Sequence, residues 1–246
     1  MRAALGVTFL SLGLVTARGL AGEVPIDVSR VATEQVERFR ARARKLPPSG
    51  EAWFELREGS SGLLVTAPHA TAHRRDGRLK GSDLGTGALA VVLGRLAATP
   101  VLYTTWAAPS DPNYYDDNPF KTELARRLAR KRPRFVVDLH ASREDRPYDV
   151  DLGTLRGRSL LGRQDLFRDL TRRLREAGLV HLSDNAFPGE RQATVTRFLC
   201  ESGVPCVQLE INARWLRPER GPEEMARFLA LARALSAFAG DVDRER

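Results

Sequence analysis

The chain is short of the residues that usually give a chemistry away. Only 2 of its 246 residues are Cys, which excludes a disulfide-dense scaffold and a Cys-rich zinc module. Only 4 are His, so any imidazole chemistry must come from His69, His73, His140 and His181. Only 4 are Lys, against 35 Arg. One apolar run approaches membrane-spanning length, and it lies at the extreme N-terminus, which excludes a polytopic membrane protein. There is no Gly-x-Ser-x-Gly elbow and neither Cys stands beside a His, so nucleophilic catalysis has little support.

What is present is enough to fold. The chain is 42% hydrophobic and 28% charged, which supplies a sizeable core and excludes a disordered, collagen-like or low-complexity protein. The length fits one large domain, or at most two small ones. A net charge of +8 raises nucleic acid as a partner. The Arg, however, are spread along the chain and mixed with acids, as in Arg172–Glu176 and Arg217–Glu224, so nucleic-acid binding is not expected.

The first residues read as a targeting segment. Met1-Arg2 is positive, Ala3 to Ala17 is uncharged and mostly apolar, and Val15-Thr16-Ala17 and Gly19-Leu20-Ala21 both offer small residues at −3 and −1. The expected organisation is a signal peptide over 1–21, an N-terminal helix and lead-in over 22–60, and the main domain over 61–246. The apolar run is shorter than the roughly 20 residues of a span, so export by cleavage, with no stable membrane anchor, is expected. In an oxidising compartment Cys200 and Cys206 could pair, or stay as two thiols. The sequence does not set an oligomeric state.

Periodicity predicts alternating strands and helices. Val28 to Leu46 has helical spacing and stops at Pro47-Pro48-Ser49-Gly50. Strands are predicted around Glu51–Glu58 and over Leu63–Ala67, Val101–Tyr103, Phe135–Leu139 and Pro205–Ile211. Helices are predicted over Thr86–Ala98, Lys121–Lys131, Leu166–Ala177, Thr194–Cys200 and Gly221–Ala239, the last stopping at Gly240. This order argues for a single α/β domain with a mostly parallel or mixed twisted sheet and helices on both faces. Ala107 to Asn118, rich in Pro, Asp, Asn and Tyr, reads as a long loop.

His69 follows one predicted buried strand and His140 another. In the third, Gln208, Glu210 and Asn212 share a face by the two-residue period. Ligands in open α/β sheets bind outside the carboxyl ends of strands, so His69, His140 and Glu210 are placed to converge. Two imidazoles and a carboxylate suggest Zn²⁺ with one open position. Either Asp83, ahead of the Thr86 helix, or His73, four residues beyond His69, could supply the third ligand. Glu210 is then suited to be a general base. Asp138, two residues before His140 and on its face, is suited to hold that imidazole in one tautomer.

The segments Ala67-Pro68-His69-Ala70, Lys80 to Gly87 (KGSDLGTG), Asp111-Pro112-Asn113-Tyr114, Val137 to Ala141 (VDLHA) and Val207 to Asn212 (VQLEIN) resemble the N-formylglutamate amidohydrolase family, which is similar in fold to the zinc carboxypeptidases. The resemblance implies a zinc-dependent hydrolase of amide bonds, with His69, Asp83 and His140 as metal ligands and Glu210 as base. There is a departure: the acid that zinc carboxypeptidases carry three residues after their first His is replaced here by Ala72. The resemblance also implies a small acidic amide or peptide-like substrate, bound by cations. Arg191, Arg214 and Asn113 are the candidate substrate contacts, with Arg143, Arg146 and Tyr114 close by in sequence. The alternative is a non-catalytic binding module on the same fold that recognises an anionic envelope ligand.

Overall fold

The structure is a computed structural model that describes residues 27–190 and 192–244. The proposed signal segment 1–21 and Arg191 lie outside the described residues. A seven-stranded mixed sheet forms the centre. Its strands are β1 (Phe54–Arg57), β2 (Leu63–Ala67), β5 (Val101–Thr104), β6 (Phe135–Ser142), β7 (Val150–Gly153), β8 (Leu182–Asp184) and β9 (Cys206–Asn212). The spatial order is β1-β5-β2-β6-β9-β7-β8. The central four, β5, β2, β6 and β9, are mutually parallel, while β1 and β7 pair antiparallel with their inner neighbours. A separate two-stranded hairpin, β3 (His73–Arg75) and β4 (Arg78–Lys80), stands beside the sheet.

The helices are α1 (Val28–Arg42), α2 (Thr86–Leu96), α3 (Pro119–Arg130), α4 (Gln164–Glu176), α5 (Val195–Glu201) and α6 (Pro222–Arg244). Their starts follow local chemistry. The side chains of Asp27, Asn118 and Thr194 each accept a backbone N–H at the mouth of α1, α3 and α5, and Pro119 opens α3. Two apolar layers sandwich the sheet. Phe135, Val137 and Leu139 of β6 point to the layer built with α1, α2, α4 and α6. Val136 and Cys206 point to the layer built with α3 and α5. By alternation, Asp138, His140, Gln208 and Glu210 belong to this second side. At Gly87 a Cβ would lie 2.5 Å from the Phe39 ring, so only glycine lets α1 lie this close to α2.

Two expectations need correction. Gly240 does not stop the last helix, which runs on to Arg244 because Phe238, Ala239 and Val242 are all buried on it. Burial there outweighs the ~1 kcal/mol cost of a helical glycine. β6 also extends past Leu139 to Ser142, so His140 sits within a strand rather than after one. Cys200 and Cys206 are both free thiols, bonded to the Arg158 and Thr196 carbonyls. Among the described residues no helix is long and apolar enough to cross a membrane.

Candidate active site

The carboxyl ends of β2, β6 and β9 open into a cleft of about 510 Å³. Pro68-His69 leaves β2 at its floor. The chain then makes the β3–β4 excursion and returns, and the Asp83 N–H donates to the His69 carbonyl at 2.7 Å. Asp83 is thereby brought back to His69 although they are 14 residues apart. Its Oδ2 lies 3.1 Å from His140 Nδ1 and 3.6 Å from His69 Nδ1. These three ligand atoms lie within 4.8 Å of one another and could hold a metal ion.

Each imidazole is fixed from behind. His69 Nε2 bonds the buried Asp111 Oδ1 at 2.7 Å, and His140 Nε2 bonds the buried Asp138 Oδ2 at 3.2 Å. Asp138 is held in turn by the Thr66 hydroxyl, which donates to Oδ1 at 2.6 Å. Both Nδ1 atoms face Asp83 and the cleft; once the proton shared with that carboxylate is lost, with Nε2 donating to the acid behind, each ring presents its Nδ1 lone pair inward. Burial disfavours charge on both rings, but the paired acids outweigh it and raise both pKa values, His140 well above the ordinary range. Burial likewise works against ionised Asp83, and its bonds to His140 and His69 overturn this and hold it well below the usual carboxylate range.

Glu210 stands on β9 directly opposite His140 in register. It lines the cleft, and burial raises its carboxyl to about 7, partly countered by His140. Gln208 Nε2 donates to Glu210 Oε1 at 2.9 Å.

His73 does not join the Asp83 set. Its ring stacks on His69 at 3.9 Å, its Nε2 reaches Asp111 Oδ2 at 3.2 Å, and its Nδ1 is buried with no partner. Burial, and then His69, push its pKa down to about 4, so it is a neutral ring behind the site. His181 stays apart, donating its backbone N–H to Asp149.

Of the substrate-binding candidates, Asn113 lines the cleft, but its side-chain carbonyl is occupied by the Val195 N–H at 2.7 Å. Arg214 is not in the cleft lining and pairs with Asp149 at 2.8 Å. Arg191 is outside the described residues. Arg143 pairs with Asp145, and Arg146 lies over the Phe187 ring. Among the described residues, the guanidinium groups that line the cleft are those of Arg75 and Arg156. Arg75 binds Asp111 through Nε and Nη2 and covers the Tyr114 ring at 4.6 Å, while Arg156 binds Glu190 at 3.0 Å.

Sequence reasoning gave no role to Asp111, Arg75, Gln208, Asp151 or Lys121. Asp151 accepts the Ala186 and Phe187 N–H groups and so pins the far wall of the cleft. Gly153 permits this wall, since a Cβ there would lie 2.4 Å from the Phe187 carbonyl oxygen. The buried Lys121 joins the two walls by donating to the carbonyls of Tyr115 and Ala193. Asp111 had a signal: Asp-Pro-Asn in a long loop is an Asx turn, and the Asn113 N–H does donate to Asp111 Oδ1.

The fold has known counterparts. The family model described as N-formylglutamate amidohydrolase matches residues 113–216, a span that includes Asp138, His140 and Glu210 but not His69 or Asp83. The solved N-formylglutamate amidohydrolase of Ralstonia eutropha JMP134 superposes with a TM-score of 0.51 at 19% identity, over 78% of this chain and 97% of that one. The chain resembles the N-formylglutamate amidohydrolases in sequence and in fold. A bacteriophage poly-gamma-glutamate hydrolase superposes with a TM-score of 0.51 at 15% identity, over 79% of this chain and 91% of its own. A gene product of Agrobacterium tumefaciens reaches 0.55 at 14% identity, over 81% and 98%. No curated protein sequence matches the chain.

Proposed function

We propose that the protein is a zinc-dependent hydrolase of amide bonds, acting on a small acidic amide or peptide-like substrate. The N-formylglutamate amidohydrolase match supports amide hydrolysis. The observation that carries the metal reading is the pair of inward Nδ1 atoms facing Asp83, each ring backed by its own buried carboxylate. That donor set of two imidazoles and one carboxylate fits Zn²⁺ with a position left open. His69, Asp83 and His140 would hold the ion, which when bound supplies a Lewis acid and a water of lowered pKa.

The remaining chemistry falls to the chain's own groups. Glu210, half-buried and with its carboxyl raised to about 7, takes a proton from the attacking water and returns it to the leaving nitrogen. Gln208 holds one of its oxygens, which leaves the other turned to the substrate. Asp111 and Asp138 hold the imidazoles as acceptor-inward tautomers. Arg75 stands at the cleft wall with Nε and Nη2 committed to Asp111, which leaves Nη1 to meet a substrate carboxylate. Export after removal of residues 1–21 belongs to the same proposal, supported by the N-terminal pattern alone.

Elemental analysis of the purified protein, with an assay on N-formyl and N-acyl acidic amino acids, tests this reading. Zinc near one per chain with chelator-sensitive release of free amine is the expected result. A metal-free protein that hydrolyses no amide would sink it and return the binding-module alternative.

A further inference from the structure

The β3–β4 hairpin is the stretch of chain between His69 and Asp83, and it carries Arg74, Arg75, Arg78 and Lys80. Residues directly opposite in a ladder share a face, and faces alternate along each strand. His73 pairs with Lys80 and Arg75 with Arg78, so these four share one face, and Arg74 and Leu79 take the other. The first face is turned to the site: His73 and Arg75 both reach Asp111, and Arg75 lines the cleft. Arg75 has its acid. Arg78 and Lys80 are exposed, and among the described residues neither is paired with a carboxylate. Two guanidinium groups directly opposite on one face repel each other.

We propose that the face bearing Arg78 and Lys80 is a docking surface for the anionic arm of an extended substrate, an amide-linked chain carrying repeated carboxylates. The scissile bond lies in the cleft and the further carboxylates lie along the hairpin. This rests on the amide-hydrolase reading for what happens in the cleft, but the surface itself is argued from the hairpin. Arg78 and Lys80 are two residues apart on a strand, roughly 6–7 Å along it, which matches the two-residue repeat of an extended peptide-like chain. A nucleic acid strand would need open aromatic faces on which to stack, and the Tyr114 ring is covered by Arg75.

The test is fluorescence anisotropy of a labelled oligoglutamate on the full chain carrying Glu210→Gln, at low and at physiological ionic strength. The variants Arg78→Gln with Lys80→Gln, both exposed, should weaken binding about tenfold, as expected for two exposed charge pairs, and flatten its salt dependence. Arg74→Gln, on the opposite face, should leave binding unchanged. The proposal is overturned if the parent does not bind, if the double variant binds like the parent, if Arg74→Gln weakens binding equally, or if single-stranded DNA binds as tightly as oligoglutamate. If binding depends on positions 78 and 80 while the metal-loaded wild-type chain hydrolyses no amide, the cleft reading fails and the surface stands. If small acyl amino acids are hydrolysed and those two positions do not matter, the surface alone fails.

Discussion

His140 and Glu210 stand opposite each other on adjacent parallel strands, in direct register. The backbone ladder, not a loop, therefore sets the separation of the imidazole and the acid. A one-residue slip of β9 would carry Glu210 into the apolar layer on the other face, so the fold and the proposed chemistry share one registration.

Glu210→Gln should retain metal and lose turnover by about 10²–10⁴, the usual worth of a general base. The pH dependence follows in sign. A base must be deprotonated, and burial holds Glu210 near 7 in the metal-free protein. A bound cation lowers that value, so turnover should rise with pH and level off at or below neutrality. Full activity in the glutamine variant, or an acid limb well above neutrality, would remove Glu210 from the role.

His69→Ala and His140→Ala should each lose bound zinc, measured by elemental analysis after gel filtration. Asp111→Asn and Asp138→Asn keep the ligands but exchange an acceptor carboxylate for an amide behind the ring. Each should weaken metal affinity by about 10–100-fold in a chelator competition. Unchanged affinity in both would mean that the imidazoles are oriented by packing alone.

Arg214→Ala should leave KM unchanged. The guanidinium is held by Asp149 outside the cleft lining, and Asp149 keeps the Trp215 indole and the His181 amide when Arg214 is removed. A tenfold rise in KM, of the size roughly expected for one lost charged contact, would put Arg214 at the substrate after all.

Asp241→Asn should destabilise the fold by about 1 kcal/mol, since Arg173 binds both carboxylate oxygens across α4 and α6 in a half-buried setting. The Arg173 bonds hold the Asp241 pKa below its ordinary value. This stability is present above the unfolded carboxylate pKa and is lost as pH falls through the folded one. Thermal melts of wild type and variant should therefore differ at neutral pH and converge in strong acid.

The central strands and the helices were readable because burial imposes periods on them. Leu63–Ala67 is continuously apolar and is wholly buried as β2, and the apolar stripe of α4 returns as buried Leu166, Leu170 and Leu174. The spacing also placed His69, His140 and Glu210 at neighbouring strand ends. β7 and β8 were not readable. β7 is four residues long and its Asp151 points to a loop it anchors, while β8 is an edge strand with no buried apolar residue. The approach of Asp83 to His69 and His140 lay outside periodicity altogether, because it follows from the return of the chain over the β3–β4 excursion, closed by one backbone bond between residues 69 and 83.

That bond has a consequence for how this protein can change. The excursion from Ala70 to Ser82 begins and ends at a clasp, Asp83 N–H to His69 C=O, and its tip touches the body through Tyr115. The first arm is bonded to the body by Thr71, Ala72, Arg74 and Arg75, so it is the outer turn, where a Cβ on Gly77 would meet nothing, that can be lengthened, shortened or exchanged while the two residues at the base keep their mutual placement. Variation among relatives, and grafting in the laboratory, should concentrate there, altering what the cleft admits without disturbing its floor.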